Sequence, residues 1–487
     1  MDEKKEISDL IQSRKEKLSW FIENGYNPFE YNFDKKDKIK DIKAEFEKAE
    51  NESPVKTAGR VMANRLMGKA GFFDIQDGTS RIQVYIRKDH VPEGDFKVYK
   101  HLDVGDIIGV EGTMFKTRKG EISILCSSLK LLTKSLHPLP EKWHGLKDKE
   151  LRYRQRYLDL IVNPDVKDVF IKRSLIISTI RQFLISKDFL EVETPMLQFI
   201  PGGASARPFK THHNALNREI YLRIAPELYL KRIVVGGIER VFEINRNFRN
   251  EGMDRNHNPE FTMLELYQAY SDYNDMMELV EDIFEFIGKQ VFDSNEIIYR
   301  EQKISLLKPW KRISMQDSFE EYAGFSVKDK SITELQSMLE EKDKIKQVKL
   351  GKVIEKLFEV YVQPKLIQPT FITDFIKDSS PLTKVHRTDE KLVERFEVFI
   401  AGMELGNAFS ELNNPMVQKE RFAMQVEERT SGNDEAQRMD DDYVKSLEYG
   451  LPPTGGLGIG IDRLVMFFTD SSSIRDVIFF PHLKPEI

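Results

Sequence analysis

The sequence predicts an α+β protein: a small closed β-barrel near the N-terminus, then a larger domain that mixes strands with helices. Two observations carry this. Between residues 55 and 134 the chain breaks into short β-rich runs, TAGRVMANRL, GFFDIQD, SRIQVYIR, DIIGVEGTMF and EISILCSSLKLL, separated by turns such as Asp77-Gly78 and Lys119-Gly120. About five short strands in so little chain suit a small closed barrel. Farther on, RVFEINRNFRNEGMDRNHNPEFTMLELY, Arg240 to Tyr267, reads as two strands joined by a polar loop.

Length and composition set the bounds. At 487 residues the chain has room for two or three domains, each with its own core. Hydrophobic residues make up 40% and charged residues 32%, as in a soluble globular protein with a heavily charged surface. A formal net charge of −6 argues against a generally basic nucleic-acid coat but leaves room for a local basic face. The single cysteine, Cys126, excludes an internal disulfide framework and a cysteine-based zinc site, and fits a reducing cytoplasm. No apolar run approaches membrane-spanning length, and the opening MDEKKEISDLIQSRKEKL lacks a signal core and is too acidic for a transit peptide. The expected location is cytoplasmic, with no membrane partner.

In chain order, residues 1–54 read as a helical extension. Ile7, Leu10, Ile11, Leu18 and Phe21 recur at helical spacing, and Gly25 and Pro28 stop the helix. Its other face is either solvated or, through Arg14, Lys15 and Lys17, a basic edge for RNA. The barrel occupies 55–135. A charged, proline-containing linker follows at 136–160, within LHPLPEKWHGLKDKELRYRQRYLDLI. The second domain spans 161–487, and ITELQSMLEEKDKI and KVIEKLFEVYV suggest a helical insertion near 325–385.

The long hairpin is the most informative element. Glu243, Asn245, Asn247, Arg249 and Glu251 alternate with Phe242, Ile244 and Phe248, and Phe261, Met263, Glu265 and Tyr267 alternate with Thr262, Leu264 and Leu266. A period of two assigns each set to its own sheet face. One face is core, and the other is an ordered polar platform.

This hairpin is similar to motif 2 of the class II aminoacyl-tRNA synthetases, in the form found in the lysine-specific enzymes. FLEVETPMLQFIPGGASARPF (189–209) resembles motif 1, the family's dimer element, with Pro195 breaking the strand ladder. GLPPTGGLGIGIDRLVMFFTD (450–470) resembles motif 3, and FEVFIAGMELGNAFSELNNP (396–415) is typical of the lysine enzymes. The resemblance runs from the N-terminal helix to the closing HLKPEI, with all blocks in the family's order. It implies an OB-fold anticodon-binding barrel and a class II catalytic domain, a mainly antiparallel sheet flanked by helices. The implied protein is a homodimeric lysine–tRNA ligase. It would use ATP and Mg2+ to make lysyl-adenylate and transfer lysine to the 3′ end of tRNA(Lys).

The chemistry explains why those residue types recur. Activation is attack of a carboxylate on the α-phosphorus of ATP, so catalysis is positioning plus neutralisation of developing negative charge. That calls for arginines and a divalent metal. The resemblance implies that Arg249 bridges the amino-acid carboxylate and the α-phosphate, and that Arg463 covers the adenine and reaches the γ-phosphate. Glu251, His257, Asn258, Glu404 and Gly460 are implied ATP contacts, and Phe261 would stack on adenine. Glu397 and Glu404 are the implied magnesium ligands. If Ala401-Gly402 forms a two-residue turn, Glu397 opposes Gly406 and Glu404 is its diagonal neighbour, so the two carboxylates converge.

Substrate choice rests on buried negative charge, because an unpaired buried ammonium is costly. The resemblance places Glu411, Tyr267 and Glu265 around the lysine ε-ammonium, with Phe409 in the same pocket. It places Glu227 and Gly203 at the α-ammonium, and Asn407 with Arg249 at the carboxylate. On the barrel, where bases stack on aromatic rings, Phe72 matches the anticodon-stacking residue, Arg65 and Gln83 are polar contacts, and Glu121 is a further candidate. Phe73 is expected to point inward.

Some look-alikes fail. GGLGIGID does not satisfy GxGxxG spacing, no GxxxxGK[ST] occurs, and the class I signatures are absent. One departure stands out: Phe375-Ile376 replaces the family's usual Tyr-Pro or His-Pro pair, which puts that loop's geometry in doubt. The rival readings are an aspartate- or asparagine-specific sister enzyme, a paralogue that lysylates a protein, and a non-catalytic RNA-binding or regulatory relative. The first would need cationic or amide groups where this chain has Glu265, Tyr267 and Glu411. The second would lack the barrel, and the third would have lost Arg249, Arg463, Glu397 and Glu404.

Overall fold

A computed structural model describes residues 2–50, 52–140, 148–344, 349–433 and 435–485. The chain divides into two compact units, Met1–Lys147 and Asp148–Ile487. The middle of the expected linker, residues 141–147, lies outside the described residues, as do the last two residues.

The first unit opens with helices α1 (Asp2–Glu23) and α2 (Ile39–Ala49). Strands β1 (Pro54–Met67), β2 (Ala70–Gln76) and β3 (Arg81–Arg87) follow, then helix α3 (Glu93–Lys100) and strands β4 (Ile107–Lys116) and β5 (Ile122–Thr133). The strands form a barrel in the order β1-β2-β3-β5-β4, and β4 pairs back onto β1. The β3–β5 seam is the weakest, with only three parallel pairs, Gln83 to Ser123 through Tyr85 to Leu125, so most of β5 is unpaired on that side. Period-two burial fills the interior: Phe73, Ile75, Ile82, Val84, Ile86, Val110 and Ile124 share one core with Phe21, Ile39, Ile42 and Phe46 of the two helices. The N-terminal helices are therefore built onto the barrel. The alternative of a basic edge on α1 loses two of its three residues to this docking: Arg14 is buried and donates to the carbonyls of Val104, Ser135 and His137, and Lys17 pairs with Asp103 at 2.6 Å.

The second unit begins inside the expected linker. Helices α4 (Lys149–Arg154) and α5 (Arg156–Val162) precede α6 (Pro164–Ser186). Arg156 is fully buried, bonded to Asp159 at 2.7 Å and to the carbonyls of Arg475, Ile478 and Phe479, which ties residues 148–160 to the C-terminal segment. Short strands β6 (Leu190–Glu191), β7 (Leu197–Gln198), β8 (Lys210–His213) and β9 (Arg218–Leu222) lead to helix α7 (Glu227–Val235). The hairpin is β10 (Arg240–Phe248) and β11 (Glu260–Ala269), followed by α8 (Tyr273–Phe292), β12 (Glu296–Tyr299), β13 (Gln302–Ser305), β14 (Lys311–Ser314) and α9 (Met315–Ser318).

Helices α10 (Ile332–Ser337) and α11 (Leu350–Tyr361) come next, then β15 (Thr370–Ile376), β16 (Leu392–Ile400), β17 (Met403–Ser410), α12 (Pro415–Thr430) and α13 (Asp441–Glu448). Strand β18 (Thr454–Gly460), α14 (Ile461–Phe468) and α15 (Ile474–Val477) complete the unit. Eight strands form the central sheet in the order β14-β15-β16-β17-β18-β11-β10-β6, antiparallel except at its two edges. Helical structure in the 325–385 span is confined to its first part and a short turn at Lys377–Ser379, because Thr370–Ile376 is strand β15 and pairs with β16 inside this sheet.

One sheet face is the main core. Phe242, Leu264, Leu266, Leu457 and Ile459 pack there against α6, α8 and α14. A face sealed in this way leaves every alternate residue of the hairpin on the opposite side, where Glu243, Asn247, Glu265 and Tyr267 are buried in turn.

Candidate active site

The two strands of the hairpin are in register as their alternation predicts: Glu243 opposes Glu265, Asn245 opposes Met263, and Asn247 opposes Phe261. Strand β18 lies beside β11 and β17, with Gly456 between Tyr267 and Phe409, and Gly458 between Glu265 and Asn407. Gly460 opposes Met263. Leu457 and Ile459 point into the core, so the residues of β18 that face the cleft are glycines. The space their missing side chains leave is the cavity floor. At Gly456 an added Cβ would collide with Oε1 of Glu411 and the ring of Tyr267.

Two adjoining cavities, of about 300 and 340 Å³, sit on this floor. Both fall within the size range of small-molecule sites. The first is lined by all the expected nucleotide contacts: Arg249, Glu251, His257, Asn258, Phe261, Glu404, Gly460 and Arg463. The second is lined by all the expected amino-acid contacts: Gly203, Glu227, Arg249, Glu265, Tyr267, Asn407, Phe409 and Glu411. Arg249, Asn407 and Glu404 line both, and Arg249 follows the last residue of β10 at the junction.

In the first cavity Arg249 lies over the Phe261 ring, 5.1 Å from its centroid, and its Nε is buried without a hydrogen-bond partner. Burial lowers its pKa, against the pull of Glu251, Glu265 and Glu404. Arg463, on the first turn of α14, donates to the Glu404 carbonyl at 3.0 Å and to its carboxylate at 3.2 Å. His257 faces Asp254 through Nδ1 at 2.9 Å and Arg463 through Nε2 at 3.0 Å. Since a guanidinium only donates, Nε2 accepts and Nδ1 carries the proton. Asn258 is committed internally: its amide donates to the Glu260 carbonyl at 2.5 Å and accepts from the His482 N–H at 3.2 Å, so it shapes the loop that frames the cavity.

The second cavity concentrates acid. Glu227, Glu265 and Glu411 are all buried. Burial pushes the Glu265 carboxyl up to about 8, reinforced by Glu227 and Glu243 and opposed by Arg223 and Arg249. Burial likewise raises Glu227 and Glu411, and Oε1 of Glu411 has no hydrogen-bond partner. Gly203 has φ +89°, and an added Cβ would sit 2.8 Å from the Glu227 Cβ, so only glycine fits there.

Glu397 and Glu404 also line the second cavity, although their register differs from the simple hairpin expectation. The turn forms, with φ +50° at Ala401 and +74° at Gly402. A bulge between Val398 and Phe399 then shifts the pairing, so Glu397 opposes Asn407 while Val398 opposes Gly406. Such a bulge inserts an unpaired residue and re-aims the side chains around it. Burial raises Glu397 to about 8, with Arg395 opposing and Glu404 and Glu355 adding to the rise. Arg395 donates to Glu397 at 2.5 Å, and Oε1 of Glu355 is buried without a hydrogen-bond partner. Among the described residues no three acidic, histidine or cysteine side chains form a ready-made metal cage. Two carboxylates with excess negative charge instead suit a hard cation that takes its other oxygens from water and phosphate.

Three neighbours escaped the sequence reading. Arg395 shares strand parity with Glu397 and could have been found that way. Lys231 follows Glu227 by four residues, a same-face helical spacing. Glu355 belongs to α11, which was read as a separate insertion, and nothing local marks it as cavity-lining.

On the barrel Phe72, Arg65 and Tyr85 share one rung, and Gln83 lies on the next. Phe72 stacks on Tyr85 at 4.6 Å, Tyr85 lies 6.1 Å from Phe115, and Phe73 is buried inside as expected. Gln83 accepts from Ser123 at 3.1 Å, while Arg65 and Glu121 are exposed. Tyr85 and Phe115 extend the aromatic surface beyond Phe72.

An antiparallel sheet with a motif-2-like hairpin, a glycine-floored strand entering a helix, and an arginine shared between two cavities is the architecture of a class II aminoacyl-tRNA synthetase. Residues 148–484 match the family of class II tRNA synthetases (D, K and N), and residues 55–132 match the OB-fold nucleic acid binding domain. The chain is 53% identical to the lysine–tRNA ligase of Pelotomaculum thermopropionicum, covering 99% of this chain and 96% of the relative. It is 52% identical to that of Clostridium tetani, covering 100% and 98%, and 53% identical to that of Carboxydothermus hydrogenoformans, covering 99% of each. The chain belongs to the lysine–tRNA ligase family.

Proposed function

We propose that this chain activates L-lysine with ATP, releasing pyrophosphate, and transfers the lysyl group to the 3′ end of tRNA(Lys). The observation that carries the reading is the acidic cavity. Glu227, Glu265 and Glu411 converge in a buried pocket that meets the arginine-lined cavity at Arg249. Glu411, with its unpartnered oxygen, and Tyr267 receive the ε-ammonium, and Glu265 adds negative charge. Glu227 and the Gly203 backbone receive the α-ammonium. Asn407 and Arg249 hold the carboxylate, and Phe409 walls the aliphatic chain.

ATP lies in the first cavity, its adenine between Phe261 and Arg463, with Glu251, His257, Asn258 and Gly460 completing the contacts. Arg249 neutralises charge as the lysine carboxylate attacks the α-phosphorus, and Arg463 draws off charge on the leaving pyrophosphate. Glu397 and Glu404 are the residues that would hold magnesium, which supplies charge neutralisation on the phosphate oxygens when bound. An aspartate- or asparagine-specific sister would place cationic or amide groups where this cavity presents three carboxylates.

The outer barrel face, with Phe72, Arg65 and Gln83, is assigned to the anticodon. Domain limits follow the same reading: 1–54 packed on the barrel, 55–135 the barrel, then a linker and the catalytic unit. A homodimer is supported by Ile171, Leu175, Ile185, Leu190, Leu197 and Phe199, large apolar side chains left exposed on α6 and the motif-1-like segment. No helix among the described residues is long and apolar enough to cross a membrane, and a cytoplasmic location fits the single buried cysteine. Amino-acid-dependent ATP–pyrophosphate exchange with a panel of amino acids tests the reading. Exchange is expected with lysine, and exchange with aspartate or asparagine alone would overturn it.

A further inference from the structure

Lys231 has no part in the roles assigned above. It stands one turn after Glu227 on α7 with its ammonium fully buried. Nζ lies 2.5 Å from Oε1 of Glu227 and is ion-paired with Oε2 of Glu411. The Tyr267 and Phe409 ring centroids lie 5.8 and 5.5 Å away. Glu227, Glu411, Tyr267 and Phe409 line the amino-acid cavity, and Lys231 does not. The ammonium therefore backs the two carboxylates from the protein side.

Charge balance gives this arrangement a purpose. Three fully buried carboxyls, Glu227, Glu265 and Glu411, face the cavity, while its other acids, Glu355, Glu397 and Glu404, pair with Arg395 and Arg463, and a lysine substrate brings two ammonium groups. A buried carboxyl without a counter-ion protonates, and an ammonium, which only donates hydrogen bonds, gains little from a protonated acid. One fixed cation behind Glu227 and Glu411 leaves two negative charges for the two ammonium groups. We propose that Lys231 is a positioning residue, a built-in counter-cation that sets the spacing of Glu227 and Glu411 and keeps both ionised before lysine arrives. This rests on the assignment of the cavity to lysine.

Burial pulls Glu227 and Glu411 towards the neutral acid, and the Lys231 ammonium between them pulls the other way. Burial works against the charge on Lys231, but Glu227 and Glu411 override it and its pKa is raised. The groups facing it are Glu227 on its own helix, Glu411 just beyond β17, Tyr267 on β11 and Tyr443 on α13. Glu265 interacts with both Glu227 and Glu411, and is itself faced by Arg223, Arg249 and Glu243.

The test is Lys231→Met, which keeps length and removes charge. At pH 7 the KM for lysine in pyrophosphate exchange should rise on the order of a hundredfold, while the KM for ATP stays within threefold. Raising the pH to 8.5 should recover much of the loss, because it re-ionises Glu227 and Glu411. An unchanged KM overturns the proposal. So does a raised KM whose ratio to that of the unaltered chain stays constant with pH, since lost packing leaves only the Glu265 profile that both proteins share. Should the variant fail to fold, calorimetry of lysine binding to the unaltered protein at pH 7, in two buffers of different ionisation heat, decides. Release of no more than about one proton, attributable to Glu265, is expected, and release of two or more would show that Lys231 does not hold the pair ionised. Glu411→Gln separates the premises: if it abolishes lysine activation while Lys231→Met is normal, only the Lys231 role falls. If both variants activate lysine normally, the cavity assignment falls.

Discussion

Glu411→Gln is the sharpest perturbation of the proposed lysine pocket. Glu411 is 1% exposed, and its Oε1 has no hydrogen-bond partner although it lies beside the cavity. Its replacement is nearly isosteric, so the loss is electrostatic rather than a void. The substrate ε-ammonium would then be buried against an amide, with Glu265 and Tyr267 as the remaining polar groups assigned to it. Breaking a buried ion pair by removing one partner costs about 3–5 kcal/mol. At about 1.4 kcal/mol per factor of ten, kcat/KM for lysine should fall by roughly a hundredfold to a few thousandfold. The variant also frees Lys231 from one of its two carboxylates, which adds to the loss. The assay is lysine-dependent ATP–pyrophosphate exchange, with the KM for ATP and the thermal midpoint as controls. The nucleotide cavity does not include Glu411, so the KM for ATP should hold within threefold. A well-folded variant with kcat/KM for lysine within threefold of the unaltered chain would refute the assignment.

The remaining predictions probe other parts of the site. Phe72→Ala should lower kcat/KM for tRNA charging by about five- to 150-fold, the cost of one lost base–aromatic stack of about 1–3 kcal/mol, and leave pyrophosphate exchange intact; equal charging kinetics would remove Phe72 from the anticodon site. Glu265 has its carboxyl raised to about 8, and a cationic substrate favours the ionised form. Lysine affinity should therefore strengthen as pH rises from 6.5 towards 8, by at most about tenfold per unit below the pKa, and Glu265→Gln should flatten that profile of lysine KM against pH. Gly456→Ala places a methyl group against Glu411 and Tyr267 and should raise the lysine KM more than tenfold while sparing the KM for ATP, because Gly456 lines only the amino-acid cavity.

Much of the site is legible in the sequence, for a physical reason that differs by element. The β10–β11 platform could be read because a strand has a period of two: once Phe242, Leu264 and Leu266 are core, Glu243, Glu265 and Tyr267 must share the other face. The same alternation placed Phe73 inside the barrel and Phe72 outside. The Glu397 register was misjudged because a bulge depends on packing across the β16–β17 pair, which the turn sequence does not encode. Nothing local tells whether Arg14 on α1 faces RNA or the protein, and its guanidinium satisfies carbonyls at positions 104, 135 and 137.

By itself, the sequence determined the order of the motifs, the face on which each strand residue lies, and the class of chemistry that arginines and carboxylates in that order support. These are local properties, set by backbone periodicity and residue type. Which carboxylates meet is a tertiary property, which the residues alone do not encode and only the family resemblance anticipated. Glu227 on a helix, Glu265 on one strand and Glu411 at the end of another converge because a row of glycines on β18 leaves space between them. Lys231 acquires its meaning in the same way, since a buried cation is defined by the anions that folding brings to it from 180 residues farther along the chain.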